Sequence, residues 1–158
     1  MKKKLSLVLV VVLVLATVLS GCGGGDTTEL KMATGGTGGT YYGYSGIIAQ
    51  ALSDVVKITP ESTGASMQNV QYLQAGEAQI AIIQNDVMSY AYTGTDLWAA
   101  SNAEAYTDFS AVMACYPETV QIIAKKGITS IDQPKGKKVS VGDAGSGVAF
   151  NATPALAA

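Results

Sequence analysis

Four loops rich in glycine and hydroxyl groups are the parts of this 158-residue chain whose residue types suit the binding of a small molecule. The first loop, residues 33–42, places Thr37 and Thr40 among four glycines. Glycine lets backbone N–H groups approach a ligand closely, and the N-terminus of a following helix adds partial positive charge. This combination predicts a cradle for an anion or a carboxylate, with a plain tight turn as the alternative.

Nucleotide-binding motifs fit the first loop poorly. A Walker loop requires lysine followed by serine or threonine, and this loop contains no lysine. A dinucleotide fingerprint that began at Gly36 would require glycine or alanine at position 41, which is Tyr41. Both nucleotide-binding interpretations are therefore weak.

Segments 61–66, 84–86 and 145–147 repeat the arrangement, because each follows a predicted strand and opens a predicted helix with small polar residues. Ser66 and Asp86 are predicted to cap their helices. Ligands of open α/β sheets bind beyond the carboxyl ends of the strands, so the four loops predict one site. The candidate ligand-binding residues are Gly36, Thr37, Gly38, Gly39, Tyr41, Ser62, Thr63, Gly64, Gln84, Asn85, Tyr116, Gly145 and Ser146.

The composition excludes several kinds of chemistry. The chain contains no histidine, which excludes imidazole-based metal sites and catalytic triads. It contains no arginine, so a guanidinium clamp on a carboxylate could come only from the missing half of the fold. Two cysteines are too few for a metal site made of cysteines alone. We therefore expect no metal and no cofactor. The formal charge of −2 leaves no basic face for a nucleic acid.

The N-terminus is typical of an exported lipoprotein. Three lysines at positions 2–4 precede an apolar stretch at 5–19, which is shorter than the ~20 residues that a membrane-spanning helix requires. Residues 19–22, Leu-Ser-Gly-Cys, resemble a bacterial lipobox. We predict a signal peptide over 1–21, a lipid on Cys22 and a flexible tether over 22–29, with a short anchor helix as the alternative. Cys115 is then left without a disulfide partner and is expected to be a small buried residue.

From residue 30 the pattern alternates between strands and helices, which predicts an α/β sheet with right-handed crossovers. Strands are predicted at 30–34, at 56–59 where Pro60 ends the strand, and at 80–83. The apolar face of the first helix is predicted to run from Tyr44 to Val55. Later strands are predicted at 109–116, 120–124 and 139–141, followed by a helix that Pro154 interrupts. The last strand has no partner to return to, so we expect the chain to stop within a longer fold.

Seven segments together resemble the TAXI family of TRAP transporter solute receptors. They are residues 33–42, 61–66, 76–81, 84–86, 116–118, 135–142 and 145–147. The resemblance implies a two-lobed fold of the type II periplasmic-binding-protein class. It places the first lobe at 30–117 and only the start of the second lobe at 118–158.

The resemblance also implies a function without catalysis. Such a receptor would lie outside the cytoplasm, anchored to the membrane by the lipid on Cys22. It would capture a small, glutamate-like carboxylate and deliver it to a TRAP membrane permease. Two alternatives remain: an enzyme that binds a phosphorylated small molecule through the glycine loops, or a surface lipoprotein used only for partner contact. The enzyme would need a base and a nucleophile, and the sequence offers no clear pair.

Overall fold

Strands and helices alternate through the first part of the folded chain. The computed structural model describes residues 28–101 and 103–157. Its elements are β1 (Glu29–Ala33), α1 (Thr40–Ala51), β2 (Lys57–Glu61), α2 (Ser66–Gln74), β3 (Ile80–Ala81), α3 (Asn85–Thr93), α4 (Asp96–Ala100) and α5 (Gly147–Ala157). The predicted signal peptide, the lipidation site at Cys22 and all but the end of the tether lie outside the described residues.

The three strands form one parallel sheet in the order β2-β1-β3. β1 pairs along its whole length with β2, and its last two residues pair with β3. Helix α1 connects β1 to β2, and α2 carries the chain across to the other side of β1. The predicted α/β class is therefore confirmed. All three strands present their carboxyl ends at the same edge of the sheet.

Pro60 lies inside β2, so the prediction that it ends this strand was wrong. The backbone N–H of Lys57 donates to Thr28 O, and Glu61 O accepts from the N–H of Thr34. Alternate residues of a parallel strand bond to opposite sides, so Pro60 faces away from β1. Its missing N–H therefore removes no hydrogen bond from the sheet, which is why an edge strand tolerates it.

Two apolar clusters form the core. The first joins Met32, Ile58 and Ile82 of the sheet region to one face of α1, which contributes Tyr44 and Ile48. The apolar face of α1 is shorter than predicted, because the helix ends at Ala51 and the side chain of Val55 beyond it is 77% exposed. The second cluster consists of Val70, Val87, Ala91, Trp98 and Phe150. It packs α2, α3, α4 and α5 together.

The strands predicted at 109–116, 120–124 and 139–141 are absent from the described part of the chain. A strand requires hydrogen-bonding partners, and these segments pair with no other strand there. Their apolar side chains are open to solvent: Val112 is 91% exposed and Ile123 is 92% exposed. Cys115, expected to be buried, is half-buried and free.

Helix α5 continues through Pro154, so the predicted interruption was also wrong. Proline removes one backbone donor from a helix and leaves a carbonyl one turn earlier without its usual partner. Two polar side chains of α5 donate to carbonyls nearby: Asn151 Nδ2 to Gly147 O, and Thr153 Oγ1 to Ala149 O. Over residues 28–101 and 103–157, no helix has the length and apolar character needed to cross a membrane.

Candidate ligand-binding site

A cleft of about 760 Å³ opens where the chain leaves the carboxyl ends of the strands. Gly39, Ala65 and Gln84 line it, and each is the residue that directly precedes a helix following one of the three strands. The cleft lies at the edge of the sheet where the sequence predicts the site.

The side chain of Asn69 fixes the three strand ends beneath the cleft. Its Nδ2 donates to Thr34 O at 2.5 Å and to Ile82 O at 2.7 Å. Its Oδ1 accepts from Thr63 Oγ1 at 2.5 Å. Asn69 is completely buried, so these bonds are shielded from water. One amide thus holds the residues that follow β1, β2 and β3 in a fixed relation.

Two buried hydroxyl groups join the loops to one another. Thr34 Oγ1 donates to Glu61 O at 2.7 Å, which ties the end of β1 to the end of β2. Ser66 Oγ accepts from the backbone N–H of Gln84 at 3.1 Å, which ties the start of α2 to the start of α3. The loops around the cleft therefore form a connected polar network.

Helices α1, α2 and α3 begin at the cleft without a side-chain cap. The N-cap residues are Gly39, Ala65 and Gln84, so the predicted caps at Ser66 and Asp86 were wrong. Ser66 is the first residue of α2, and its hydroxyl oxygen accepts a hydrogen bond from the backbone N–H of Gln84. Asp86 Oδ1 accepts from the N–H of Val87, within the first turn of α3. An uncapped helix start offers N–H groups and partial positive charge to a ligand.

The segment that opens α5 docks against two of these helix starts. Gly145 O accepts from the N–H of Met67 at 3.1 Å, so it occupies one donor of α2. Ser146 is 7% exposed, and its Oγ accepts from the N–H of Ala149. Gly147 packs so closely on the Gln84 amide that a Cβ at Gly147 would overlap it. A side chain at position 147 would have to push the flexible end of the Gln84 side chain aside.

Two tyrosine hydroxyls hold a carboxylate at the wall of the cleft. Tyr41 donates to Glu118 Oε2 at 2.9 Å, and Tyr116 donates to Glu118 Oε1 at 3.2 Å. The ring of Tyr116 packs against Tyr41 and Tyr44, with ring centroids 6.3 and 5.6 Å apart. Burial raises the pKa of both Tyr41 and Tyr116, and the charge of Glu118 raises each pKa further. Both phenols therefore stay protonated donors at neutral pH.

The remaining wall of the cleft is mostly apolar. It includes Val120, Ile122, Ile123, Val139 and Leu156. Three lysines also line it: Lys125, Lys137 and Lys138. These lysines place positively charged side chains at the border of the cleft.

The candidate residues predicted from sequence divide into two groups. Gly39, Tyr41, Gln84 and Ser146 line the cleft. The others do not line it: Gly36, Thr37, Gly38, Ser62, Thr63, Gly64, Asn85, Tyr116 and Gly145. Several of these have structural partners, since Thr63 bonds to Asn69, the N–H of Gly64 donates to Gln68 Oε1 and Tyr116 holds Glu118.

The exposed part of the first loop is a tight turn. The N–H of Gly39 donates to Gly36 O at 2.8 Å, and Thr37 and Gly38 lie exposed between them. The tip of the loop is therefore a plain turn, as the alternative interpretation proposed. The last residue of this turn, Gly39, lines the cleft.

Sequence reasoning missed Asn69 and Glu118, and it treated Ser66 only as a helix cap. Asn69 lies among the apolar positions of α2. A polar residue on the apolar side of a helix is the only sequence signal that indicated a buried hydrogen-bond network here. Glu118 falls in segment 116–118, which the resemblance included without assigning this side chain a role. Its contact with Tyr41 joins residues far apart in the chain, which no local pattern reveals.

Among the described residues, no group of three His, Cys, Asp or Glu side chains could hold a metal ion.

The comparison with protein families shows to which class of protein this chain belongs. The family model of the NMT1-like family matches residues 32–158. This chain belongs to the NMT1-like family. It is a family of periplasmic solute-binding proteins, so the predicted solute-binding class is confirmed.

Membership of the NMT1-like family implies a small-molecule ligand and, in general terms, a membrane transporter as partner. Proteins of the family typically act outside the cytoplasm, and it is a family of binding proteins rather than of enzymes. The small parallel sheet with its flanking helices is consistent with part of a periplasmic-binding-protein lobe. The cleft at the carboxyl edge of this sheet is therefore the candidate solute site.

Proposed function

We propose that this chain is the extracytoplasmic receptor of a TRAP-type transporter of the TAXI group, and that it delivers a small, glutamate-like carboxylate to a membrane permease. The observation that carries the proposal is the convergence of the uncapped starts of α1, α2 and α3 on one cleft. The resemblance of the seven sequence segments supports the assignment to the TAXI group.

A carboxylate suits this cleft for a physical reason. These 158 residues contain no arginine, so their own contribution to binding the negative charge comes from backbone N–H groups, hydroxyls and lysines, and an arginine could come only from a part of the receptor outside them. Each helix start favours a nearby anion by about 0.3–1 kcal/mol, and more where the site is partly buried. Hydrogen bonds to a charged acceptor add about 1.5–3 kcal/mol each. The starts of α1 and α2 therefore make a site that prefers a carboxylate over a neutral group, whereas in the first turn of α3 the Asp86 carboxylate already accepts from one N–H.

The architecture that we propose follows the sequence boundaries. Residues 1–21 direct export, Cys22 carries the lipid, and residues 22–29 tether the domain to the membrane. Residues 30–117 belong to one lobe and residues 118–158 to a second lobe, with the solute held where they meet. Closure of two lobes around a solute is a common hinge motion, and it gives the permease a closed form to recognise.

The test of solute binding uses the purified protein and mass spectrometry of the small molecules it retains, followed by calorimetry with those found. We expect stoichiometric capture of a carboxylate and no product. Ser66→Ala removes the buried bond that ties the start of α2 to the start of α3, so it should weaken binding by about 1 kcal/mol or more. Ser89→Ala, on the exposed side of α3, should leave binding unchanged. Retention of neutral compounds alone, or turnover of a phosphoester, would contradict the proposal.

The test of the lipid anchor compares the two cysteines. The parent protein is expected to fractionate with membranes and to carry the mass of a lipid. Cys22→Ala should move the protein to the soluble fraction, and Cys115→Ala, which changes the other cysteine, should leave it with the membranes. Membrane association of Cys22→Ala equal to that of the parent would refute lipidation at this residue.

A further inference from the structure

The hydroxyl of Tyr41 lies between two of the helix starts that open into the cleft. Tyr41 is the second residue of α1, and it lines the cleft together with Ser66, the first residue of α2. Burial raises the pKa of Tyr41, and contact with the Ser66 hydroxyl opposes this rise, so the two hydroxyls are neighbours. A carboxylate bound at the starts of α1 and α2 therefore meets the Tyr41 hydroxyl as a further donor.

A carboxylate of the chain itself already uses this donor. Tyr41 donates to Glu118 Oε2 at 2.9 Å, and Tyr116 donates to Glu118 Oε1 at 3.2 Å. Tyr41 and Glu118 line the cleft, whereas Tyr116 does not. A phenol has a single proton to donate. The Tyr41 hydroxyl can therefore donate to Glu118 or to a solute carboxylate, but not to both at full strength.

We propose that Glu118 competes with the solute for the Tyr41 hydroxyl, so that binding replaces the carboxylate of Glu118 by that of the solute. This inference rests on the proposed function and concerns the regulation of the same site. The bond between Tyr41 and Glu118 lowers the affinity for the solute, because only molecules in which Glu118 has released Tyr41 offer the full set of donors.

The exposure of Glu118 lets this exchange occur at low cost. Water solvates the oxygen that leaves Tyr41, while Tyr116 still holds the other oxygen. Tyr41 is partly buried, so its hydroxyl keeps an acceptor when one carboxylate replaces the other. The lysines that line the same cleft attract both carboxylates and so favour neither over the other; they are Lys125, Lys137 and Lys138.

The experiment measures binding of L-glutamate and of glutarate to the full chain by calorimetry. Tyr41→Phe removes the shared donor and should weaken binding of both acids at least about threefold. Tyr116→Phe removes only a bond that holds Glu118 in place, so it should strengthen binding at least about twofold. Glu118→Asp keeps the charge on a side chain too short to reach both hydroxyls, so it should strengthen binding as well.

Double variants separate competition from charge repulsion between Glu118 and the solute. In the Tyr41→Phe background the shared donor is gone, so Tyr116→Phe and Glu118→Asp should no longer change either affinity. Two matched controls change the same residue types away from the cleft. Tyr92→Phe and Glu77→Asp, both at exposed positions, should leave the affinities at the values of the parent.

Weaker binding after both Tyr41→Phe and Tyr116→Phe would show that Glu118 supports the site instead of competing for it, and this result would overturn the inference. Unchanged affinity after Tyr41→Phe, Tyr116→Phe or Glu118→Asp would overturn it too. Each of these results leaves the proposed carboxylate receptor intact. Failure of both acids to bind the parent and the Glu118→Asp variant would refute the receptor proposal and the inference together.

Discussion

At the scale of single residues, a few buried polar groups set the geometry of the cleft. Asn69 bonds to groups that follow all three strands, and Ser66 joins two helix starts. No buried side-chain nitrogen or oxygen in the described residues lacks a hydrogen-bond partner. Such a network makes each member costly to remove, because the partners left behind are cut off from water.

Asn69→Ala should lower the free energy of unfolding by about 3 kcal/mol or more. The change leaves two buried carbonyls, of Thr34 and Ile82, without their donor, at about 1–3 kcal/mol each. Thermal or urea unfolding followed by circular dichroism measures the loss. Gln71→Ala, at an exposed position of the same helix, is the control and should cost little. Equal stability of the two variants would show that the network contributes nothing.

Ala65→Gly should stabilise the protein by about 1 kcal/mol. Ala65 has φ 74° and ψ −147°, a conformation that is nearly restricted to glycine and costs other residues about 1–3 kcal/mol. Part of the gain is offset by the greater freedom of glycine in the unfolded chain. Ala75→Gly, at φ −79° beyond the other end of α2, should destabilise instead. Opposite shifts of the unfolding midpoint are the expected result, and shifts of the same sign would contradict it.

At the scale of elements, the order from β1 to α3 could be predicted from the sequence because glycine, polar loops and apolar periodicity mark each boundary locally. Local signals could not decide whether the segments 109–116, 120–124 and 139–141 form strands. Their apolar residues favour strands, but a strand also requires a partner, and partners are not a local property. The same limit applies to Glu118, whose place in the cleft depends on Tyr41 from another element.

Gly147→Ala should displace the Gln84 side chain, which lines the cleft. The new Cβ would overlap the side-chain amide of Gln84, so this flexible side chain must turn away from its place at the cleft. We expect weaker solute binding with little change in the unfolding midpoint, because a flexible side chain can turn aside at low cost. Gly46→Ala is the matched control, because it lies within α1 with open space around it. That variant should be as stable as the parent or more stable. Unchanged binding by Gly147→Ala would refute close packing at this contact.

At the scale of the whole molecule, α5 joins late and early parts of the chain. Phe150 packs in the cluster formed by Val70, Val87, Ala91 and Trp98, which belong to α2, α3 and α4. The sequence predicted a helix here but gave no sign of where it packs, because apolar residues on a short helix fit many surfaces. This packing brings Ser146 and Gly147 to the cleft, so the site depends on the whole chain rather than on the first loops alone.

Alkaline pH should destabilise the molecule through Tyr41 and Tyr116. Their pKa values lie above the ordinary 10.0, so the folded protein retains protons that the unfolded chain releases. Their contribution to stability is complete below pH 10.0 and is lost as the pH rises through the folded pKa values. Ultraviolet titration of phenolate should reveal a late component that Tyr116→Phe reduces.

Glu118→Gln provides an independent check of the same titration, because its charge raises both phenol pKa values. The late component should move to lower pH in this variant and remain partly raised by burial. A titration curve identical to that of the parent would contradict the contacts of Glu118 with Tyr41 and Tyr116.

Pro60 has a consequence for how copies of this chain meet one another. β2 is an edge strand of the sheet in the described residues, and open edges are templates for fibre-like association. The backbone groups of Ile58 and Pro60 face outward there, because Lys57 and Glu61 bond inward. Proline removes one of these two outward donors, and β3 at the opposite edge is only two residues long. A second chain therefore finds no continuous ladder to extend at either edge, and the sheet resists aggregation by strand addition.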